Sequence, residues 1–110
     1  MLAIGAVSYI NTIPLFTGLK RFKNMNFIFD HPSHINKQLS DGSVDVGLIS
    51  SESYLANKER YQLLQGYGIG ATKEVMSVCL YSKVAKQELT NKKIYLPSVS
   101  ATSNQLLKVL

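Results

Sequence analysis

The chain has 110 residues, 45% of them apolar, which is room for one domain with a real core, too little for two, and too apolar for a disordered segment. Its net charge of +5 is spread over single Lys and Arg residues and the short clusters Lys20-Arg21-Phe22-Lys23 and Lys92-Lys93. These clusters read as solvated surface, since they lack both the aromatic interleaving of single-strand binders and any DNA-reading motif.

In chain order, Ala3 to Val7 are small or branched and apolar, as in a strand buried on both faces of a parallel sheet. The strand runs into Ser8-Tyr9-Ile10-Asn11-Thr12-Ile13-Pro14-Leu15. There Asn11 and Thr12 are suitable helix N-caps, and Pro14 falls in the first turn, where its missing N–H costs nothing. Leu15, Leu19 and Phe22 share one face of the predicted helix. Asn26 to Phe29 is a second strand candidate. Pro32-Ser33 opens a second helix with Ile35 and Leu39 one turn apart and Gly42 as its stop. His31 and His34 flank that start as surface or capping residues, because no third ligand stands at metal spacing, and no metal is expected. Val44 to Ile49 reads as a third strand that ends in Ser50-Ser51-Glu52-Ser53, where a short helix begins with Glu52 in its first turn and Tyr54, Leu55 and Ala56 as its inward residues.

Asn57 to Arg60 is a solvated turn, and Tyr61 to Gln65 a short extended segment. Gly66, Gly68 and Gly70 follow, without the helix that a dinucleotide fingerprint needs. Val75 to Tyr81 reads as a further strand, within which the lone Cys79 is expected to be a buried structural thiol; a single cysteine allows no internal disulfide framework. Lys86 to Lys93 is a connector. A last strand, Ile94 to Leu96, leads through Pro97-Ser98-Val99 to Ser100-Ala101-Thr102-Ser103. A helix is predicted there, with Thr102 and Gln105 at capping-box spacing and Leu106, Leu107 and Leu110 on its apolar face. The sequence stops before that helix would end. No run approaches the roughly 20 apolar residues of a membrane span. Met1 leads into the first strand without a basic leader, so neither a secretory signal nor a membrane role is expected, and the cytoplasm is the expected location.

Strands alternate with helices through the first half, the signature of parallel βαβ units and an α/β class. Ser8 to Thr12, Ser50 to Ser53 and Ser100 to Ser103 are rich in hydroxyl and amide groups. Each alone is what an ordinary N-cap looks like. A parallel sheet brings the carboxyl ends of its strands to one edge, where such donors can converge on a carboxylate.

These residues, together with Pro32-Ser33 followed by Asn36, Asp45-Val46-Gly47-Leu48-Ile49-Ser50-Ser51, and Ser77-Val78 with Ser82-Lys83, resemble the chorismate dehydratases of the futalosine route to menaquinone. The motifs fall in that family's order along the whole chain. The resemblance implies a type 2 periplasmic-binding-protein-like fold of two lobes, with a mostly parallel sheet and flanking helices. On that pattern residues 1–88 form the first lobe, and residues 89–110 form a hinge and the incomplete start of a truncated second lobe. It implies a lyase that dehydrates chorismate to an aromatic enol ether, with no cofactor. It also implies Asn11 at the reacting centre, Ser8, Tyr9 and Thr12 beside it, and Ser50, Ser51, Ser77, Ser100, Thr102 and Ser103 on the substrate's carboxylates. The three hydroxyl-rich clusters hold no His, Lys or Asp, and Glu52, their one carboxylate, is expected to face away, so a carboxylate of the substrate is the expected base. Family members are considerably longer. The leucine face of the last helix would then need a partner, for which a second copy of the chain is one candidate. The competing readings are a solute-binding protein that captures a small anion without chemistry, and a regulatory effector-binding domain, which would need a DNA-binding domain upstream.

Overall fold

The structure is a computed structural model that describes residues 1–109. Its centre is a three-stranded parallel sheet of order β2-β1-β3, formed by β1 (Leu2–Val7), β2 (Met25–Asp30) and β3 (Val46–Gly47). β1 is central, pairing Leu2 with Met25 through to Val7 with Asp30 on one side, and Ile4 with Val46 and Gly5 with Gly47 on the other. β3 is shorter than the run Val44 to Ile49 suggests, but two backbone bonds extend its pairing: Asp45 N–H to the Ala3 carbonyl and Leu48 N–H to the Gly5 carbonyl. The Asp45 carboxylate accepts the Ala3 N–H at 2.8 Å and ties the start of β1 to the same strand.

Ile4 to Val7 of β1 are buried on both faces, as an interior strand requires, while Leu2 at its start is exposed. Ile4 and Ala6 pack with Phe16 of helix α1 (Ile13–Thr17), with Leu15, Leu19, Met25, Phe27, Val46 and Leu48 around them. Phe16 meets Phe27 edge-on at 5.9 Å between ring centres, one of the favoured aromatic geometries. On the other face lies α2 (Pro32–Asp41), whose Ile35 is fully buried. A methyl group built on Gly5 would stand 2.9 Å from Ile35 Cγ2, so the bare backbone of β1 is what lets α2 settle this close. Gly42 ends α2 at φ 81°, the left-handed turn that glycine adopts without strain, and so the stop signal read from the sequence is realised.

α3 (Ser51–Ala56) follows β3, and α4 (Ala101–Leu107) packs against it. Arg60 donates to the Ser40 carbonyl at 3.0 Å and fastens the turn after α3 onto the end of α2.

Several expectations fail here. Val75 to Tyr81 and Ile94 to Leu96 form no strand, because no neighbouring backbone completes a ladder for them, and a single turn at Lys86–Glu88 is the regular element between them. Cys79 is exposed, having no core around it. Leu55 and Ala56 point to solvent while Tyr54 is half-buried. α1 closes at Gly18, before Leu19 and Phe22. α4 begins two residues earlier than a box headed by Thr102 needs, so Ser100 holds the cap position. Of the expected leucine face, Leu106 is exposed, Leu107 half-buried, and Leu110 lies outside the described residues. Among the described residues no helix is long and apolar enough to cross a membrane.

Candidate functional site

The parallel register carries the ends of β1, β2 and β3 to one edge of the sheet, where Ser8, His31 and Ser50 follow. The first junction is built around Thr12. Its side chain is buried and caps no helix; its hydroxyl sits 2.6 Å from the Val7 carbonyl and 2.7 Å from the Tyr9 carbonyl. The expectation of Thr12 as a side-chain N-cap is therefore corrected. The hydroxyl reaches back to close the loop Ser8 to Asn11; its one proton serves one of these carbonyls at a time, and since the Tyr9 carbonyl also accepts the Thr12 N–H at 3.0 Å, the Val7 carbonyl at the strand's end is the one that depends on it. Ser8, Tyr9 and Asn11 are left exposed at the rim, and Asn11 likewise supplies no cap bond.

Behind this rim lies a hollow of about 230 Å³ between α1 and the strand ends, with Ser8, Tyr9, Thr17, Lys20 and Phe29 on its wall. Asn11 does not line it, and neither do the residues of the other two junctions. Lys20 Nζ stands 5.6 Å from the centre of the Phe29 ring. This places a cation, itself exposed, beside hydroxyl groups at the wall of a mostly apolar recess, where it can attract an anion. In the sequence Lys20 looked like one more solvated lysine. The signal that singles it out is tertiary, the pairing of β2 with β1 that puts Phe29 beneath it.

The second junction is a closed hydrogen-bond circuit. Ser50 Oγ accepts the Ser53 N–H at 3.2 Å, so within the run Ser50 to Ser53 it is Ser50 that is the N-cap of α3. The same oxygen receives the Asn36 amide at 3.4 Å and donates to Ser53 Oγ at 3.0 Å, while the Ser50 N–H goes to Asn36 Oδ1 at 3.4 Å. Ser53 Oγ then donates to Glu52 Oε2 at 3.4 Å. A hydroxyl has one proton and two lone pairs, and Ser50 has committed them all internally. Ser51, beside it, is exposed. Asn36 is thus a fastener of this junction that residue-type reasoning did not place at the site, although it stands within a quoted motif.

In the third junction Ser100 Oγ donates to Ser103 Oγ at 2.7 Å, and Asn104 anchors the turn by donating to the Pro97 carbonyl at 2.9 Å. Thr102 is exposed. The contact of α4 with α3 sets the helices of the second and third junctions side by side. Ser77 lies apart from them in the irregular stretch, exposed.

Asp30 closes the end of β2. The His31 N–H and then the His34 ring, 2.9 Å away, hold its carboxyl below the usual carboxylate range. Both histidines are exposed, and among the described residues no group of three or more His, Cys, Asp or Glu side chains is placed to hold a metal ion.

The sequence model of the menaquinone biosynthesis family matches residues 2–110. The chain belongs to that family. It is 33% identical over 109 residues to a chorismate dehydratase of Thermus thermophilus, a match covering 97% of this chain and 38% of the relative. It is 36% identical over 113 aligned positions to a chorismate dehydratase of Campylobacter jejuni, covering 96% of this chain and 46% of the relative. The chain therefore spans less than half the length of these relatives. No solved structure matches it significantly.

Proposed function

We propose that this chain carries part of the active site of a chorismate dehydratase, a cytoplasmic lyase of the futalosine route to menaquinone. Residues 1–88 then belong to the first lobe of a type 2 periplasmic-binding-protein-like fold, and residues 89–110 to the hinge and the start of the second. The observation that carries this reading is the match of residues 2–110 to the menaquinone biosynthesis family, joined to 33% and 36% identity with chorismate dehydratases.

The reaction removes a proton from the ring carbon bearing the enolpyruvyl ether and hydroxide from its neighbour, which together leave as water. The ring carboxylate is conjugated to the carbon that loses the proton, and the ring gains aromaticity, so the demand on the protein is modest. Exposed amide and hydroxyl groups suit that demand: they orient the substrate and hydrogen-bond it while its own carboxylate takes the proton. Asn11 is assigned to the reacting centre with Ser8 and Tyr9 beside it, and Ser51, Ser77, Thr102 and Ser103 to the carboxylates. Thr12, Ser50 and Ser100 serve these groups from behind, since their hydroxyls are engaged within the chain. Lys20 adds a cation at the same strand edge.

The test is to titrate chorismate into the chain and follow backbone amide resonances. Shifts at Ser8, Asn11, Ser51 and Thr102 are expected, with little or no turnover by this length of chain and with weaker shifts in Asn11→Ala. An unmoved spectrum would overturn the reading. In a full-length form, mass spectrometry should find 3-(1-carboxyvinyloxy)benzoate; binding without product would make the protein a solute binder instead.

A further inference from the structure

The hollow beside α1 is made differently from the rim in front of it. Buried Phe16 forms its floor, and Ile10, Ile13 and Phe29 stand at its sides, each between 49% and 86% exposed. That apolar surface is uncovered, so a ligand with an apolar body gains by removing it from water. Thr12 and Thr17 spend their hydroxyls on backbone carbonyls, while Lys20 and the exposed Ser8 and Tyr9 keep donors for a ligand, and no lining residue is acidic. The carboxylate that follows Phe29 in the chain, Asp30, is turned away. Phe27 and Phe29 stack on the α1 face of β2 with ring centres 6.3 Å apart, and alternation along the strand sends Asp30 to the α2 face, where it accepts the His31 N–H and meets the His34 ring. Among the described residues Lys20 forms no ion pair, so its charge is left for whatever enters the recess.

We infer that this hollow is a second small-molecule site, separate from the rim, and that it takes a monocarboxylate whose apolar body is the size of a single ring. Its volume of about 230 Å³ lies below the about 300 Å³ at which sites for drug-sized ligands begin, which limits the body to one ring. The Phe29 ring gives that body an aromatic partner, and Lys20 with the Ser8 and Tyr9 hydroxyls gives the carboxylate its donors. One carboxylate fits and two do not. A second would be pressed against Ile10, Ile13 and Phe29, which offer it no hydrogen bond, so the recess turns away a polar diacid of the kind proposed for the rim. Asn11, Ser51 and Thr102 do not line the recess, and the inference stands whichever ligand those residues take.

Benzoate is the probe, titrated into this chain while backbone amide resonances are followed. Shifts are expected at Phe16, Thr17, Lys20 and Phe29. Lys20→Met keeps an apolar stem and deletes the charge; it should weaken benzoate at least about threefold, and benzyl alcohol, the uncharged analogue, should bind the parent chain more weakly by a similar factor. Isophthalate, the same ring with a second carboxylate, should also bind at least about threefold more weakly than benzoate. Lys20 is exposed, so its replacement leaves the core in place, and protection of the Ile4 to Val7 amides from hydrogen exchange checks that in each sample. Still resonances at Thr17, Lys20 and Phe29 in millimolar benzoate overturn the inference. So does undiminished benzoate affinity in Lys20→Met, or equal affinity of the parent for benzyl alcohol or isophthalate. Benzoate shifts at Asn11, Ser51 and Thr102 in place of the recess amides would assign it to the rim and overturn the inference too. The chorismate titration reads those rim amides, so failure of the dehydratase reading and failure of this one are seen at different residues.

Discussion

Residues 1–61 and residues 62–99 have comparable shares of apolar side chains, yet the first group folds into a sheet with helices on both faces and the second makes no sheet at all. The difference lies in pairing, not in composition. In the first region each strand-forming run has a neighbour within reach: β2 and β3 flank β1, and crossover helices cover both faces. In the second, Val75 to Tyr81 and Ile94 to Leu96 carry residues suited to strands and meet no backbone to bond with. Propensity for a strand expresses itself through cross-strand partners, and without them it leaves an open chain.

This contrast can be broken at its strongest point by Ile35→Ala, which removes the one side chain packed against both Gly5 and Gly47. A loss of about 2–5 kcal/mol in urea unfolding is expected, enough to abolish the protection of the first region. Gly5→Val attacks the same contact from below, forcing a Cβ to within 2.9 Å of Ile35. Its expected cost is about 1–3 kcal/mol, and the compensating double change Gly5→Ala with Ile35→Val should recover part of it. Thr12→Val keeps the shape and deletes the hydroxyl within reach of the Val7 carbonyl, while the Tyr9 carbonyl keeps the backbone N–H of residue 12. A loss of about 1–3 kcal/mol is expected, with broadened resonances confined to Ser8 to Asn11. A smaller effect belongs to Asp30 and Asp41, whose carboxyls sit below their usual range, the first through the His31 N–H and the His34 ring, the second through the Ser43 hydroxyl and N–H. A carboxyl with a lowered folded pKa favours the native state at neutral pH, and that contribution fades as the pH falls through the lowered value. Asp30→Asn with Asp41→Asn should therefore flatten the acid side of a Tm against pH curve, modestly, since both groups face solvent. At the other end of the scale, Tyr95→Ser should leave the unfolding midpoint within about 0.5 kcal/mol of the parent.

What could be read in advance divides along the same line. β1, β2, α2 with its Gly42 stop and the start of α3 with Glu52 in its first turn all rest on signals within a few residues of one another, and they stand where the sequence puts them. The fate of Val75 to Tyr81 depends on a neighbour that no local pattern reveals. At the candidate site, the three hydroxyl-rich junctions were legible as groups, but the division of labour inside them was not. Thr12 turns inward because the Val7 carbonyl, five residues back, needs a donor at the point where β1 ends. Lys20 becomes part of a recess only once Phe29 lies beneath it, and Asn36 becomes a brace only once α2 lies beside the end of β3.

Ile35 and Asn36 are consecutive, and that adjacency ties two otherwise separate functions together. One side chain is wedged between bare glycine backbones at the centre of the sheet, and the next grips the Ser50 amide at its edge. Any repacking that rolls the helix by even a few degrees must swing the neighbouring carboxamide with it. The floor of the molecule and the aim of its rim are thus geared to a single axle, so drift in the interior would be felt first as a misaligned hydroxyl.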